Sequence, residues 1–239
     1  MSDHSLKSHI LNLTSHYAII VAGGSGTRMQ TAIPKQFLLL NGRPVLMHTI
    51  QMFYYSTSRP QIIIVLHADY HNYWQQLCTE YNFNIPHQLI KGGETRFHSV
   101  KNGLDSITDT EAIIAIHDAV RPLTGTVIID HSYNYAAEHG NAITAVKSRD
   151  SVRQQIGDHS ISLMRDDIYL IQTPQTFQSV QIKKAYEQPY DQKFTDDASV
   201  VENSGVKIHL AEGSYENIKI TFPEDIAIAE AILNNRALL

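Results

Sequence analysis

At 239 residues, 43% hydrophobic and 18% charged, the chain has the composition of a globular protein with a full core, which excludes an intrinsically disordered one. A formal net charge of −5 excludes nucleic acid as a bulk electrostatic partner, so a site for anions must be built from locally gathered cations. The single cysteine, Cys78, excludes an internal disulfide framework and a multi-cysteine zinc site, and no apolar run approaches the length of a membrane span.

In chain order, residues 1–16 are polar and are expected as a loosely ordered extension, with the folded domain at 17–239 and the cytoplasm as its compartment. Apolar runs predict strands at 18–21, 61–66, 88–90, 112–116 and 142–146. Helical spacing lies between them, at 44–54, 69–81, 95–104 and 126–138, with Cys78 on a core-facing helical position and Gly140 placed as a C-terminal cap. Continuous Ile/Val runs separated by helices predict an α/β fold with a mostly parallel, Rossmann-like sheet covered by helices. From 147 to 169 the pattern turns polar–apolar around Gly157-Asp158, a hairpin signal, and predicts a projecting β-arm that packs on another surface, such as a second subunit. A helix at about 178–187, a short helix after Thr195, a strand at 206–210 and a last helix complete the prediction. Thr221 and Glu224 offer that last helix a capping box.

The unusual loops all follow predicted strands, where ligands bind in such folds. The first is Ala22-Gly23-Gly24-Ser25-Gly26, followed by Arg28 and by Lys35 behind Pro34. Its backbone N–H groups can surround phosphates. A Walker loop fails because Thr27-Arg28 stand where Lys-Ser/Thr belong, and a dinucleotide fingerprint fails at Met29. Glycines alone also suit a tight strand exit, but two flanking cations favour phosphate. The second is Gly92-Gly93-Glu94-Thr95-Arg96-Phe97-His98-Ser99, where small residues let a flat base approach and Ser99 can bond it; the bland alternative is a helix start. The third is His117-Asp118-Ala119-Val120-Arg121-Pro122. Asp118 suits a hydroxyl-rich ligand or a hydrated metal, Arg121 serves phosphate or braces Asp118, and His117 is read as structural. Arg165, Gln172-Thr173-Pro174-Gln175, Phe194-Thr195-Asp196-Asp197-Ala198-Ser199 and Glu216-Asn217-Ile218-Lys219-Ile220-Thr221 are each unremarkable singly.

Taken together, AGGSGTRM (22–29), PKQF (34–37), GGETRFHSV (92–100), HDAVRP (117–122), QTPQTF (172–177), FTDDAS (194–199) and ENIKIT (216–221) carry a specific resemblance. The sequence resembles the 2-C-methyl-D-erythritol 4-phosphate cytidylyltransferases, with ribitol-5-phosphate cytidylyltransferase as the alternative. The resemblance implies transfer of CMP from CTP to methylerythritol phosphate with release of pyrophosphate, Mg²⁺ carried mainly by the CTP phosphates, and no protein side chain assigned as a metal ligand. It implies a nucleotidyltransferase-type sheet and a homodimer that exchanges its β-arms. It assigns Ala22, Gly23, Gly24, Gly93 and Ser99 to the cytidine and phosphates, and Arg28 and Lys35 to the transition state. Asp118 and Arg121 fall at the nucleotide–sugar junction, and Arg165 and Lys219 on the acceptor phosphate, with Thr173 and Thr195 nearby. The family's arm usually carries Asp-Thr, where this chain has Asp150-Ser151; Ser151 keeps the hydroxyl and loses a methyl.

Overall fold

The structure is a computed structural model that describes residues 14–23 and 33–236. Gly24 and Arg28 lie outside the described residues, as does most of the expected N-terminal extension. Strand β1 is Ser15–Val21, so Ser15 and His16, expected in the extension, belong to the sheet. A 3-10 turn at Lys35–Phe37 leads to the small ribbon of β2 (Leu39–Leu40) and β3 (Arg43–Pro44), then to α1 (Val45–Tyr55). There follow β4 (Gln61–Leu66), α2 (His71–Glu80), β5 (Gln88–Lys91), α3 (Arg96–Asp105), β6 (Ala112–Asp118) and α4 (Thr126–His139). Gly140 ends α4 at φ 93°, its N–H donating to the Ala136 carbonyl, a conformation costly for any residue with a Cβ.

Strand β7 (Asn141–Lys147) runs into the arm, β8 (Val152–Ile156) and β9 (His159–Leu163), which turns at Gly157 with φ 59°. The chain re-enters the sheet as β10 (Tyr169–Gln178) and continues through α5 (Ser179–Ala185), α6 (Asp197–Asn203), β11 (Leu210–Glu212) and α7 (Glu224–Arg236).

The main sheet has the order β11-β7-β10-β6-β1-β4-β5. Its pairings are parallel except at β10, which runs antiparallel between β6 and β7. Alternation along β1 sorts the core into two layers. Ala18 and Ile20 face α1, α2 and α4, while Tyr17 and Ile19 face α3, α5 and α6. Cys78 packs against the first layer, and burial pushes its thiol up to about 11, which leaves it an inert core residue.

Three further expectations differ from the structure. A ten-residue strand, β10, was not foreseen, because Gln172-Thr173-Pro174-Gln175 is polar and contains proline. The ladder tolerates Pro174 by a register shift between Ile171 and Gln175. The strand expected at 206–210 starts at Leu210. The last helix takes its cap from Asp225, whose carboxylate accepts from the Thr221 and Phe222 N–H groups at 2.7 and 2.8 Å, in place of a Thr221–Glu224 box.

Because β10 descends beside β7, the arm leaves and returns at the carboxyl edge of the sheet, with Lys147 opposite Tyr169. That is also the edge from which the loops after β1, β5 and β6 emerge. Ile156, Ile161 and Met164 on the arm and Tyr169, Leu170 and Ile171 at its root are exposed.

Candidate active site

Two adjoining cavities open at the carboxyl edge, one of about 520 Å³ and one of about 240 Å³. Arg96, Asp118 and Lys219 line both.

The larger cavity is built by the ends of β1 and β5 and by the first turn of α3. The Ala22 N–H bonds Val65 across the sheet, and its carbonyl accepts from the Gln36 amide at 2.8 Å. The Gly93 N–H donates to Ser99 Oγ at 3.1 Å, and a Cβ on Gly23 would stand 3.2 Å from the same oxygen. Gly23, Gly93 and Ser99 therefore converge on one wall, smooth enough for a flat ring. The bland reading of the motif also holds, since Thr95 is the N-cap of α3 and its hydroxyl accepts from the His98 N–H. Lys35 lines the same cavity. Its turn is pinned by the Gln36 bond to Ala22 and by Phe37, which is buried against Tyr70, Tyr73 and Trp74.

Asp118 ends the fully buried strand β6 and sits between the cavities. Lys219 Nζ lies 2.8 Å from Oδ2, Arg121 Nε 3.6 Å from Oδ2, and Arg96 Nε 3.6 Å from Oδ1. Burial alone would push this carboxyl up. Arg96, Lys219 and Arg121 outweigh burial and hold it well below the usual carboxylate range. One buried anion thus gathers three cations, an excess of positive charge where two anionic groups could meet.

Arg121 and Lys219 are placed by long-range ties that meet at Asn217. Arg121 Nη1 donates to the Asn217 carbonyl at 2.7 Å. The Asn217 amide, itself fully buried, donates to the Thr173 carbonyl and to Gln172 Oε1, and its Oδ1 accepts from Thr124. Three residues on, the Ile220 N–H bonds Val120 and its side chain enters the core. Lys219 is held between these anchors with its ammonium aimed at Asp118.

His117 lies wholly inside, with Nε2 at 3.2 Å from the Arg121 carbonyl and Nδ1 at 3.0 Å from Thr173 Oγ1. Burial pushes its ring down to about 4, so it is neutral at physiological pH. Facing a carbonyl, Nε2 must carry the proton, which makes Nδ1 the acceptor and the Thr173 hydroxyl the donor. The same hydroxyl accepts from the Asp118 N–H at 3.1 Å. Thr173 lines the smaller cavity, but its hydroxyl proton is committed to His117, and the group braces Asp118.

Thr195 also lines the smaller cavity. Gln175 fixes its segment by donating to Asp196 and accepting from the Ala198 N–H, each at 2.8 Å. Arg165 and Ser151 are not brought to either cavity. Both sit exposed on the arm, Arg165 donating to the Arg149 carbonyl at 3.3 Å. Arg96, Asn217 and Gln175 were missed as individual residues, although the sequence motifs contain them. Arg96 follows the helix-cap pattern Gly-Gly-Glu-Thr, and a cation there is a readable signal.

The sequence model of the 2-C-methyl-D-erythritol 4-phosphate cytidylyltransferase family matches residues 16–235. A relative of that name from Bacteroides thetaiotaomicron is 46% identical over 215 residues, covering 90% of this chain and 98% of its own. Among solved structures, a 4-diphosphocytidyl-2C-methyl-D-erythritol synthase from Anaerococcus prevotii has a TM-score of 0.81 at 29% identity, covering 95% of this chain and 99% of that one. The 2-C-methyl-D-erythritol 4-phosphate cytidylyltransferase of Francisella tularensis has a TM-score of 0.76 at 31% identity, covering 91% and 99% of the two chains. The loops that enclose the cation-ringed Asp118 lie within the matched span, and the chain belongs to the 2-C-methyl-D-erythritol 4-phosphate cytidylyltransferase family.

Proposed function

We propose that this chain transfers CMP from CTP to 2-C-methyl-D-erythritol 4-phosphate, giving 4-diphosphocytidyl-2-C-methyl-D-erythritol and pyrophosphate. The observation that carries the reading is Asp118 with Arg96, Arg121 and Lys219 around it at the junction of two cavities. The acceptor phosphate oxygen bonds the α-phosphorus of CTP while the bond from that phosphorus to pyrophosphate breaks. A phosphomonoester is largely dianionic at neutral pH, so no strong base is needed. What is needed is to hold two multiply charged anions in line and offset their repulsion.

Ala22, Gly23, Gly93 and Ser99 receive the cytidine, and Lys35 meets charge building on the α-phosphate. Gly24 and Arg28, outside the described residues, are assigned to the same end by the family resemblance. Asp118 and Arg121 hold the junction, Lys219 the acceptor phosphate, and Thr195 the acceptor's hydroxyl-bearing end. Mg²⁺, when bound, would supply further neutralisation of the phosphates. Among the described residues no three His, Cys, Asp or Glu side chains converge to cage an ion, and Asp118 is engaged by cations. Glu94 and Asp118 are the carboxylates on the lining of the larger cavity, and they would face an ion carried in by CTP.

A methyl on Gly93 would stand 2.8 Å from the His98 carbonyl carbon, a backbone atom that cannot swing aside. Gly93→Ala is expected to raise the KM for CTP about tenfold, the scale of modest overpacking, with a smaller change in kcat. Steady-state kinetics at saturating acceptor measures it, and an unchanged KM removes Gly93 from the nucleotide wall.

The exposed apolar arm, carrying Arg165 and Ser151 away from its own cavities, supports a homodimer in which each arm completes the partner's acceptor site. Mixing inactive Arg165→Ala with inactive Lys35→Ala chains is expected to restore about a quarter of wild-type activity, since half the dimers are mixed and each has one intact site. Verified subunit exchange without recovery contradicts the shared site. No described helix is long and apolar enough to cross a membrane, and we assign the activity to the cytoplasm, where CTP and Mg²⁺ are supplied. The relatives named above favour methylerythritol phosphate over ribitol phosphate as acceptor. Comparing kcat/KM for the two acceptors tests this, and a higher value for ribitol phosphate reverses it.

A further inference from the structure

Asp197, the first residue of α6, has no role in the assignments above. It is fully buried, and its two carboxylate oxygens accept from Arg96 Nη1 and Nη2 at 2.8 and 2.6 Å. The Tyr186 hydroxyl adds a third bond, to Oδ1, at 2.6 Å. Two parallel bonds fix the plane of a guanidinium as one bond cannot. The remaining edge of Arg96 presents Nε to Asp118 Oδ1 at 3.6 Å, on the wall common to both cavities. The neighbouring Phe97 stacks on Tyr186 at 4.6 Å and on Phe194 at 5.8 Å, which keeps the first turn of α3 from shifting. Gln175 holds the start of α6 from the other side.

We propose that Asp197 is a positioning residue for the transfer: it locks Arg96, and through Arg96 sets the orientation of Asp118 between the nucleotide and acceptor cavities. The cytidine wall is formed by Gly23, Gly93 and Ser99, none of which bonds Asp197. Loss of the lock therefore acts on the chemical step more than on CTP binding. Asp197→Asn keeps the shape and an acceptor for Tyr186, but turns an amide N–H₂ toward one guanidinium N–H.

The test is a double-mutant cycle between Asp197→Asn and Asp118→Asn, read in pyrophosphate release; it rests on the cytidylyl-transfer reading. Asp197→Asn is expected to lower kcat about 10–100-fold while the KM for CTP stays within about threefold. In the Asp118→Asn background the same change is expected to cost less than about threefold, because its route to the reaction is already cut. Independent effects that multiply, or a loss confined to KM, overturn the proposal. If Asp197→Asn does not fold, Tyr186→Phe removes one of the three bonds and leaves the ring stack in place. It is expected to lower kcat about threefold in the wild type and to have no effect on Asp118→Asn. Equal effects in both backgrounds, or none in either, overturn the proposal. A wild type that releases no pyrophosphate overturns the reaction itself, an outcome distinct from an active wild type whose cycle shows no coupling.

Discussion

Lys35→Ala is expected to lower kcat by about 10²–10³, the scale of losing one preorganised charge stabiliser. Rigidity matters here as much as charge. Lys35 opens a three-residue 3-10 turn whose other two residues are both buried, Gln36 bonded to the Ala22 carbonyl and Phe37 packed among aromatic rings. The stem therefore leaves a fixed point on the lining of the larger cavity, which Gly93 and Ser99 also line. Removing the ammonium leaves that wall intact, so CTP should still bind while pyrophosphate departs slowly. Rapid-quench measurement of a single turnover separates the two. A single-turnover rate within a few-fold of wild type removes Lys35 from the transition state.

Asp118→Asn is expected to damage both catalysis and stability. The carboxylate is 8% exposed and is the common partner of Arg96, Arg121 and Lys219. Deleting its charge takes the carboxylate from Arg121 and Lys219, while Arg96 keeps its two bonds to Asp197. Breaking one side of a buried ion pair typically costs about 3–5 kcal/mol, and the partial exposure of Arg96 and Lys219 places this case near the lower end. The loss of kcat should reach about 10², because Lys219 loses the partner that aims it. The sign of the pH dependence follows from the depressed carboxyl. Its stabilisation is complete above the unfolded carboxylate value of about 3.9 and is lost as pH falls below it. Urea unfolding of wild type and variant should show a constant gap from neutral pH to about pH 5 and a narrowing gap below about pH 4. A gap that persists undiminished in acid denies that the Asp118 charge is its source.

The parallel half of the sheet was legible because buried strands read as unbroken Ile/Val runs; the 61–66 strand coincides with β4. The arm and Gly140 were legible for local reasons too, as turn and cap chemistry. Strand β10 was hidden because its pairing is tertiary. A polar stretch with proline becomes a central strand only where β6 and β7 leave a slot for it, and Thr144 and Asn217 then bond the carbonyls of Pro174 and Thr173. The site divides the same way. Asp118 and Arg121 share one loop and could be paired on sequence alone. Arg96 and Lys219 come to Asp118 from distant parts of the chain, and Asp197 comes to Arg96 from another. No periodicity encodes those meetings; only the family resemblance had gathered their motifs together.

Transfer of intact CMP from one phosphate to another beside the cations around Asp118 can be followed by phosphorus NMR of the wild-type chain with CTP, Mg²⁺ and 2-C-methyl-D-erythritol 4-phosphate. The acceptor's monoester signal is expected to be replaced by a diphosphate diester while pyrophosphate appears in equal amount. Unchanged CTP, or its conversion to CDP and inorganic phosphate with the acceptor untouched, would contradict it.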